Sequence, residues 1–545
     1  MTHEVTNQSP PLVGYDLADN PALLEAVSTG EADWAQEDLH RVGRLAGSAE
    51  CQEWARLAEK HPPTLRTHDR YGSRIDVVDY EPAYHQLMRA AVQMGLAGAP
   101  WSDTRPGAHV ARAAKMFLWG QLDAGHCCSI SMTYAVVPAL RANPELAARY
   151  EPLLTAPVYD PGLRPAFSKS GLLAGMSMTE KQGGSDVRAG TTRASPQSDG
   201  SFLLTGHKWF TSAPMSDLFL VLAQAPGGLS CFLLPRVLPD GGLNGMNLQR
   251  LKDKLGNRSN ASAEVEYDQA LAWLVGPEDA GVRTIIEMVN ATRLDCILWT
   301  AGIMRAGVEQ AAHHASHRTA FGRKLRDQPL MQNVLADLAV EAEAAIALAI
   351  RLAAATDRST RGVAREALLR RLGLAAGKYT ICKRGPAHAA EALECLGGNG
   401  YIEESILPKL YREAPLESVW EGSGNVVALD TIRAMSTQPE TVDVFFEEVA
   451  LASGEDQHLD AAVRRLKQTL ATQTDQEKFS QSRRVAEQIA FILQGSLLVR
   501  HSHPDVASVF CRSRLGGEWG AAYGTLPSTS DYQRIVARAT PAFHD

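Results

Sequence analysis

Apolar residues recur every three or four positions through most of the first 175 residues. The stretches "EPAYHQLMRAAVQMGLAG" and "HVARAAKMFLWGQLDAGHCC" are of this kind, and the spacing predicts amphipathic helices. "NPELAARY" (143–150) opens with an N-cap asparagine followed by proline in the first turn, a helix-start signal. The texture changes near Gly175. Glycines multiply up to about Pro277, and short β-rich runs appear: "SFLLTGHKWFT", "DLFLVLAQA", "LSCFLLP" and "ASAEVEY". The turns "SDG", "PGG" and "PDGG" punctuate them, which predicts a compact β-sandwich or barrel. Helical spacing returns at Gly281. "DLAVEAEAAIALAIRLAAATDR" predicts one long Ala-rich helix, and "EALLRRLGLAAGKYTICKRGPAHAAEALECLGG" one more, or two. A last helical segment begins at "STQPE" and ends in a Gly-rich tail that reads as poorly ordered. The expected fold is therefore α+β and multidomain. An N-terminal helical domain spans 1–175, a β-domain 176–280, a helical bundle 281–435 and a C-terminal helical domain 436–545.

The chain has 545 residues, too many for one ordinary core. With 45% hydrophobic and 21% charged residues it has the composition of a soluble globular protein. Its net charge of −8 opposes nucleic-acid binding unless positive charge is gathered locally. Eight cysteines are scattered without a C-x-x-C pair, which suggests neither a disulfide scaffold nor a zinc site. "HCC" (126–128) and "HH" (313–314) lack ligand spacing, so no metal is expected. The start "MTHEVTNQSPPL" lacks the features of a signal peptide, and no apolar run reaches the ~18 residues of a membrane helix. A reducing cytoplasm is the expected compartment.

Five stretches could carry chemistry. In "VWEGSGNVVALD" (419–430), Glu421 stands between a tryptophan and a Gly-Ser-Gly turn, just before a helix-like run. A carboxylate there is favourable against a helix dipole, and Gly422, Ser423 and Asn425 are ordinary turn and cap residues. The alternative is an acid held for reaction. "MSMTEKQGGSDVRAG" (176–190) offers hydroxyls at Thr179 and Ser185, with backbone N–H groups freed by Gly183 and Gly184. A plain turn would look the same. In "GHKWFTSAP" (206–214), Trp209 and Phe210 could wall a flat ring whose edge Thr211 and Ser212 bond, or they are core aromatics. "HRTAFGRKLRDQPLMQ" (317–332) offers Arg318 and Phe321 to a phosphate and a ring. "LECLGGNGYIEES" (393–405) permits close backbone approach, or simply caps a helix.

In this fixed order the motifs "MTEKQGGSD", "KWFTS", "R-x-x-F-G", "LGGNGY" and "WEGSGN" resemble those of the acyl-CoA dehydrogenase flavoproteins. The form of the motifs, "LKDKLGNRSNASAEVEY" and the extra C-terminal domain resemble the branch of that family tied to the bacterial adaptive response to DNA alkylation. The resemblance implies non-covalent FAD, an acyl-CoA substrate and Glu421 as the base that removes the α-proton. It further implies FAD contacts from Met178, Thr179, Ser185, Trp209, Phe210, Thr211, Ser212, Ser423 and Asn425. Arg318, Phe321, Gln328, Gly397 and Gly398 match positions that reach a neighbouring subunit's FAD, which implies a homo-oligomer, usually a tetramer. Arg293 stands where some relatives carry their base on an earlier helix, and is a candidate substrate contact. Glu394 replaces the glutamine of many relatives.

The same likeness implies sequence-independent binding of double-stranded DNA. The best local patch is Arg358, Arg361, Arg365, Arg370, Arg371, Lys378, Lys383 and Arg384, against the single acid Glu366. "RLKDKLGNR" (250–258) is a second cluster, whereas residues 437–545 carry fewer bases than acids. A solvated helix face, or an interface laced with ion pairs, would look the same. Two further outcomes stay open: a plain dehydrogenase without a DNA role, and a flavin-containing protein without turnover.

Overall fold

The computed structural model describes residues 2–528 and 531–542. The chain divides into two compact units, and each is drawn from separate stretches of sequence. One unit gathers residues 50–104 and 122–293; the other gathers 1–49, 105–121 and 294–545.

The first unit holds the β-domain. Its strands are β1 (Thr64–His68), β2 (Arg74–Asp79), β3 (Ala174–Ser177), β4 (Arg193–Pro196), β5 (Phe202–Ser212), β6 (Leu218–Ala225), β7 (Gly228–Pro235), β8 (Met246–Leu251) and β9 (Ser262–Val275). The hydrogen-bonded order β3-β6-β4-β5-β9-β7, with β6 also paired to β7, closes β4, β5, β6, β7 and β9 into a ring. The expected sandwich or barrel is thus a barrel, and closure leaves those strands no free edge. Phe202, Leu204, Phe219, Val221, Phe232, Leu234, Val265 and Tyr267 fill it. β6 is buried along most of its length, so its pattern is a continuous apolar run rather than an alternation.

The hairpin β1–β2 was not expected in a segment read as helical. Its turn is shaped by Asp69, whose Oδ1 accepts the N–H groups of Tyr71 (2.8 Å) and Ser73 (2.9 Å). "HVARAAKMFLWGQLDAGHCC" is two helices, Ala108–Gly120 and Ala124–Leu140, because Asp123 caps the second through the His126 N–H at 3.0 Å. Asn143 caps Pro144–Leu154 through the Leu146 N–H, as its motif suggested.

The second unit is helical. Pro329–Thr360 and Ala364–Glu394 form its centre, and the latter continues unbroken through Pro386. Both pack on each other and on Ser482–His501 of the C-terminal segment. Three arginines, Arg351 and Arg384 half-buried and Arg514 buried, join them. Arg351 bonds Glu366 (2.7 Å) and Glu448 (2.9 Å). Arg384 and Arg514 both bond Glu341 at 2.9 Å, and Arg514 also bonds Asp337.

The Gly-rich tail is ordered over its described residues, contrary to expectation. Cys511–Leu515 makes a π-helical turn that buries Arg514. Downstream, the Gly524 N–H donates to Asp337 (2.9 Å), and Leu526 exchanges two hydrogen bonds with Asn333. Trp519 lies against the guanidinium groups of both Arg384 and Arg514, at 4.8 and 4.3 Å. The glycines made the segment look loose; charge pairing and one indole fix it. Residues 529–530 and 543–545 of the same tail lie outside the described residues. Among the described residues no helix is long and apolar enough to cross a membrane.

Candidate functional site

Within the barrel unit, the residues singled out around 178 and 209 meet. The Trp209 N–H donates to the Thr179 carbonyl at 2.8 Å, and the buried Thr211 hydroxyl bonds that of Ser177. Lys208 pairs with Val265 and Thr211 with Ala263, so β5 carries one extra residue at Trp209–Phe210. Such a bulge bends the strand and re-aims its side chains. Phe210 is 49% exposed, so it is no core aromatic. Ser212 is 3.4 Å from Ser262, Met178 and Thr179 are half-buried, and Ser185 is exposed.

The loop bearing Thr179 and Ser185 is tied by a residue the sequence reading passed over. The Glu180 carboxylate is buried and accepts hydrogen bonds from Lys208 (2.8 Å), the Thr191 N–H (2.7 Å) and the Thr192 hydroxyl (2.7 Å). Burial raises its pKa, but Lys208 and the threonine donors outweigh that and hold it well below the usual carboxylate range. The signal was Lys208, an isolated cation beside an aromatic pair in an apolar strand. Lys252 is a second surprise. Its ammonium stands 3.2 Å from the centre of the Trp209 ring and bonds Glu264 at 2.6 Å. Arg250 shares Glu264 at 2.6 Å. Two cations of the 250–258 cluster are therefore paired within their own unit. Arg293, in the same unit, is buried within the helix Gly281–His317.

The helical unit holds the Glu421 turn. The helix Leu407–Val419 ends at Trp420, and Gly424–Thr437 follows with Ser423 as N-cap. Glu421 sits between them with φ of 55°, in the left-handed region that a glutamate adopts only under strain. Lys378 holds it there. Its buried ammonium donates to the Trp420 carbonyl (2.8 Å) and to the Gly422 carbonyl (2.5 Å), one on each side of Glu421. Lys378, read from sequence as a phosphate contact, is thus spent on the backbone of the turn. Trp420 packs on Trp299 with ring centres 5.7 Å apart, and its indole N–H donates to Glu417 at 2.9 Å. Glu417 is fully enclosed. Burial, reinforced by the charge of Glu413, pushes its carboxyl well above the usual range. This second acid near Glu421 was not anticipated; it is visible in sequence only as a polar residue on a helix end.

The remaining positions lie on two other features of this unit. Thr319–Ala320 and Arg323–Lys324 pair as a short hairpin with Phe321 at its tip, 99% exposed. The Arg318 guanidinium donates to the Asn7 carbonyl (2.6 Å), and Gln328 to the Ala320 carbonyl (3.0 Å). Both brace the hairpin. Gly397 has φ of 58°, and neither it nor Gly398 has an atom near where a Cβ would stand. Glu394 is exposed.

The basic run 358–384 is dismantled by its own carboxylates. Arg358 and Arg361 bond Glu31 at 3.0 Å, and Arg361 also bonds Asp357 at 2.9 Å. Arg365 meets Glu448 (3.2 Å), Arg371 meets Asp430 (2.7 Å), and Arg384 meets Glu341. Arg370 also has a partner within the chain. All of these acids, Glu31, Glu341, Asp357, Asp430 and Glu448, lie outside 358–384, so the local count of one acid misrepresented the patch. Replacing Arg361 and Arg365 together by Glu is expected to lower stability by ~1–2 kcal/mol through like-charge contacts. Retention on duplex DNA should not change beyond that loss; a selective loss of retention at unchanged thermal stability would return the patch to DNA.

One trio of potential metal ligands, Asp16, Asp19 and His40, is found among the described residues. Asp16 is already occupied by the Ala18 N–H and by His40, both at 2.9 Å. The histidines flagged in the sequence are also engaged: His126 with Asp123 (2.9 Å) and His313 with the Pro10 carbonyl (2.8 Å).

Three family models match in series. Residues 7–161 match the "adaptive response protein AidB N-terminal domain", 175–270 the "acyl-CoA dehydrogenase, middle domain" and 279–436 the "acyl-CoA dehydrogenase, C-terminal domain". The chain is 45% identical to the AidB protein of Escherichia coli (strain K12) over 522 residues, 95% of each chain. The crystal structure of Caenorhabditis elegans ACDH-11 in complex with C11-CoA superimposes with a TM-score of 0.86 at 26% identity, covering 98% of this chain and 97% of the other. An acyl-CoA dehydrogenase from Bacillus anthracis, solved with FAD, shares the fold, with a TM-score of 0.65 at 17% identity over 84% of this chain and 82% of that one.

Proposed function

The chain belongs to the acyl-CoA dehydrogenase family, in its AidB-like group, and from that premise we propose that it is an FAD-dependent oxidoreductase that desaturates an acyl-CoA between Cα and Cβ with Glu421 as the base. One observation carries the reading. A half-buried carboxylate is held in a strained left-handed conformation by a buried lysine that clamps both neighbouring carbonyls. Strain of ~1–3 kcal/mol survives only where the surroundings enforce it, and it clusters at working groups.

The residues fit a flavin. Trp209 and Phe210 stand at a bulge beside the Thr179 loop, and Gly397–Gly398 leave open space. The Ser423 hydroxyl makes no capping bond. Met178, Thr179, Ser185 and Trp209–Ser212 would hold the flavin end, and Ser423 and Asn425 the nucleotide end. Bound FAD would supply the acceptor for the β-hydride. The chain's own part is to take the α-proton on a Glu421 oxygen and to keep that carboxylate aimed through Lys378 and Trp420. Arg293 is a candidate contact to the substrate.

Phe321 at a hairpin tip, with Leu330 and Tyr401 75% and 78% exposed, supports burial of these side chains in a homo-oligomer, a tetramer on the family's pattern. The AidB likeness also supports a role in the response to DNA alkylation through sequence-independent duplex binding, for which cations other than the paired arginines of 358–384 are needed.

Purified protein should be yellow, oligomeric and soluble, and its flavin band should bleach anaerobically with at least one member of an acyl-CoA panel. Folded protein that takes up no FAD, or a flavin that no acyl-CoA reduces, overturns the catalytic reading.

A further inference from the structure

Glu417 is wholly enclosed in the helical unit, one helical turn before Trp420 and Glu421. We propose that it is a positioning residue for the base: in its neutral form it holds the Trp420 indole, and through that ring the strained turn that carries Glu421. The proposal rests on the reading of Glu421 as base and adds the side chain that fixes its turn from inside.

The first argument is geometry. Residues three apart share one face of a helix, so Glu417, near the end of Leu407–Val419, reaches the side chain that follows the helix. Its Oε2 accepts the Trp420 indole N–H at 2.9 Å, while the Trp420 backbone N–H still donates to the Leu416 carbonyl at 3.1 Å. Trp420 is thus held at its ring by Glu417 and at its carbonyl by Lys378. The other indole packed here is treated differently. Trp299 is 3% exposed, and its N–H has no hydrogen-bond partner among the described residues. The hydrogen bond is placed on the ring whose next residue has φ of 55°, where it restrains the turn. Freeing the indole would let the turn relax, and a displacement of ~1 Å can cost about 10²-fold in rate.

The second argument is charge. A carboxylate offers about four acceptor sites, and a buried one must be met by donors or cations. Glu417 accepts one N–H, from a neutral indole, and its Oε1 has no hydrogen-bond partner among the described residues. Lys378 acts on it from the helix Ala364–Glu394, but that ammonium is committed to two backbone carbonyls. Glu413, one turn back on its own helix, opposes a charge. The thiols of Cys296, on Gly281–His317, and Cys382, on Ala364–Glu394, also face it and are at best weak donors. Burial and Glu413 accordingly push its carboxyl well above the usual range. Cys296 feels both Glu417 and Glu421, so the two acids lie about one thiol. An ionised Glu417 would repel the Glu421 carboxylate and raise its pKa. A neutral acid supplies the same acceptor without that repulsion.

The test compares wild type with Glu417→Gln, Glu417→Leu, Trp420→Phe and the double variant Glu417→Leu/Trp420→Phe, with butyryl-, octanoyl- and lauroyl-CoA as probes. Anaerobic flavin bleaching gives the rate, and its pH profile the apparent pKa of the base. FAD content and thermal melts check that each variant is folded and loaded. Glu417→Leu removes the acceptor and should slow bleaching about 10- to 100-fold. Trp420→Phe removes the donor, and the double variant should be no slower than Trp420→Phe, because both changes break one contact. Glu417→Gln keeps an acceptor and should retain most of the rate with an unmoved pH profile. Loss of a charged neighbour would instead lower the apparent pKa of the base by about one unit. Infrared difference spectra of wild type against Glu417→Gln should show the C=O stretch of a protonated carboxyl at neutral pH. Losses that multiply in the double variant, a shifted profile in Glu417→Gln, or absence of that stretch overturns the proposal. If Glu417→Leu does not fold, Trp420→Phe decides the restraint, and wild-type bleaching by it overturns the proposal. Wild-type bleaching by a folded Glu417→Leu defeats the positioning role alone; a wild-type flavin that no acyl-CoA reduces defeats the catalytic reading as well.

Discussion

Glu421→Gln is expected to abolish flavin reduction by acyl-CoA while FAD stays bound. The substitution keeps the size of the side chain and its place between the carbonyls that Lys378 clamps, and it removes the proton acceptor. A positioned base contributes ~10²–10⁴ in rate. The nearby acid is no substitute. Glu417 is completely enclosed, already accepts the Trp420 indole N–H, and has its carboxyl pushed well above the usual range by burial and Glu413. Glu417→Gln should therefore retain most of the reduction rate. Stopped-flow bleaching under anaerobic conditions measures both variants. Wild-type-like bleaching by Glu421→Gln would move the chemistry to another residue, and an equal collapse in Glu417→Gln would make the two acids joint actors.

The largest effect on stability is expected at Arg514. It is buried with Glu341 and Asp337, beside the half-buried Arg384, at the junction of the C-terminal tail with the helices Pro329–Thr360 and Ala364–Glu394. Arg514→Met keeps much of the bulk but leaves Glu341 with one cation and Asp337 with none of the guanidinium it now bonds. Breaking a buried pair in this way costs ~3–5 kcal/mol, because a desolvated charge is left behind. The pH dependence follows from Glu341. Burial raises its pKa, but Arg384 and Arg514 hold it down at about 2. A depressed carboxyl stabilises the fold fully above its unfolded value of about 4.3 and loses that contribution as pH falls toward 2. Thermal melts from pH 7 down to 3 should show the wild type losing stability below about pH 4.3, and Arg514→Met less steeply so. Equal melting temperatures for the two proteins at pH 7 would contradict the assignment.

The parts of this molecule that were legible in sequence are those set by local pattern. Period-two and apolar runs placed four barrel strands, and Asn143 announced its own helix. The motif around Glu421 was visible as an acid at a helix mouth, and the family likeness is what suggests the proposed role of base. What stayed hidden depends on partners far away in the chain. Lys378 and Arg371 looked like neighbours on one basic face, yet the first turns inward to a backbone 42 positions on and the second meets Asp430. The tail read as loose because its glycines are local and its anchors, Asp337 and Asn333, are not. The bulge at Trp209 is likewise invisible in β5 alone, since it exists only against the register of β9.

The way the helical unit is assembled has a consequence for how the protein is made. Arg538 near the end of the chain bonds Glu25, 513 positions earlier, and Asp357 accepts the N–H groups of Gly107 and His109. At a translation rate of about 5–20 residues per second, the first helix waits on the order of 25–100 s for its last partner to leave the ribosome. Leu23 and Val27, both wholly buried in the finished fold, spend that time without the surface that covers them. The residues of the barrel unit end at Arg293, so all of them are made long before the last helices of the other unit. Such non-local closure makes folding slow, and the nascent N-terminal helices become natural clients for holding chaperones.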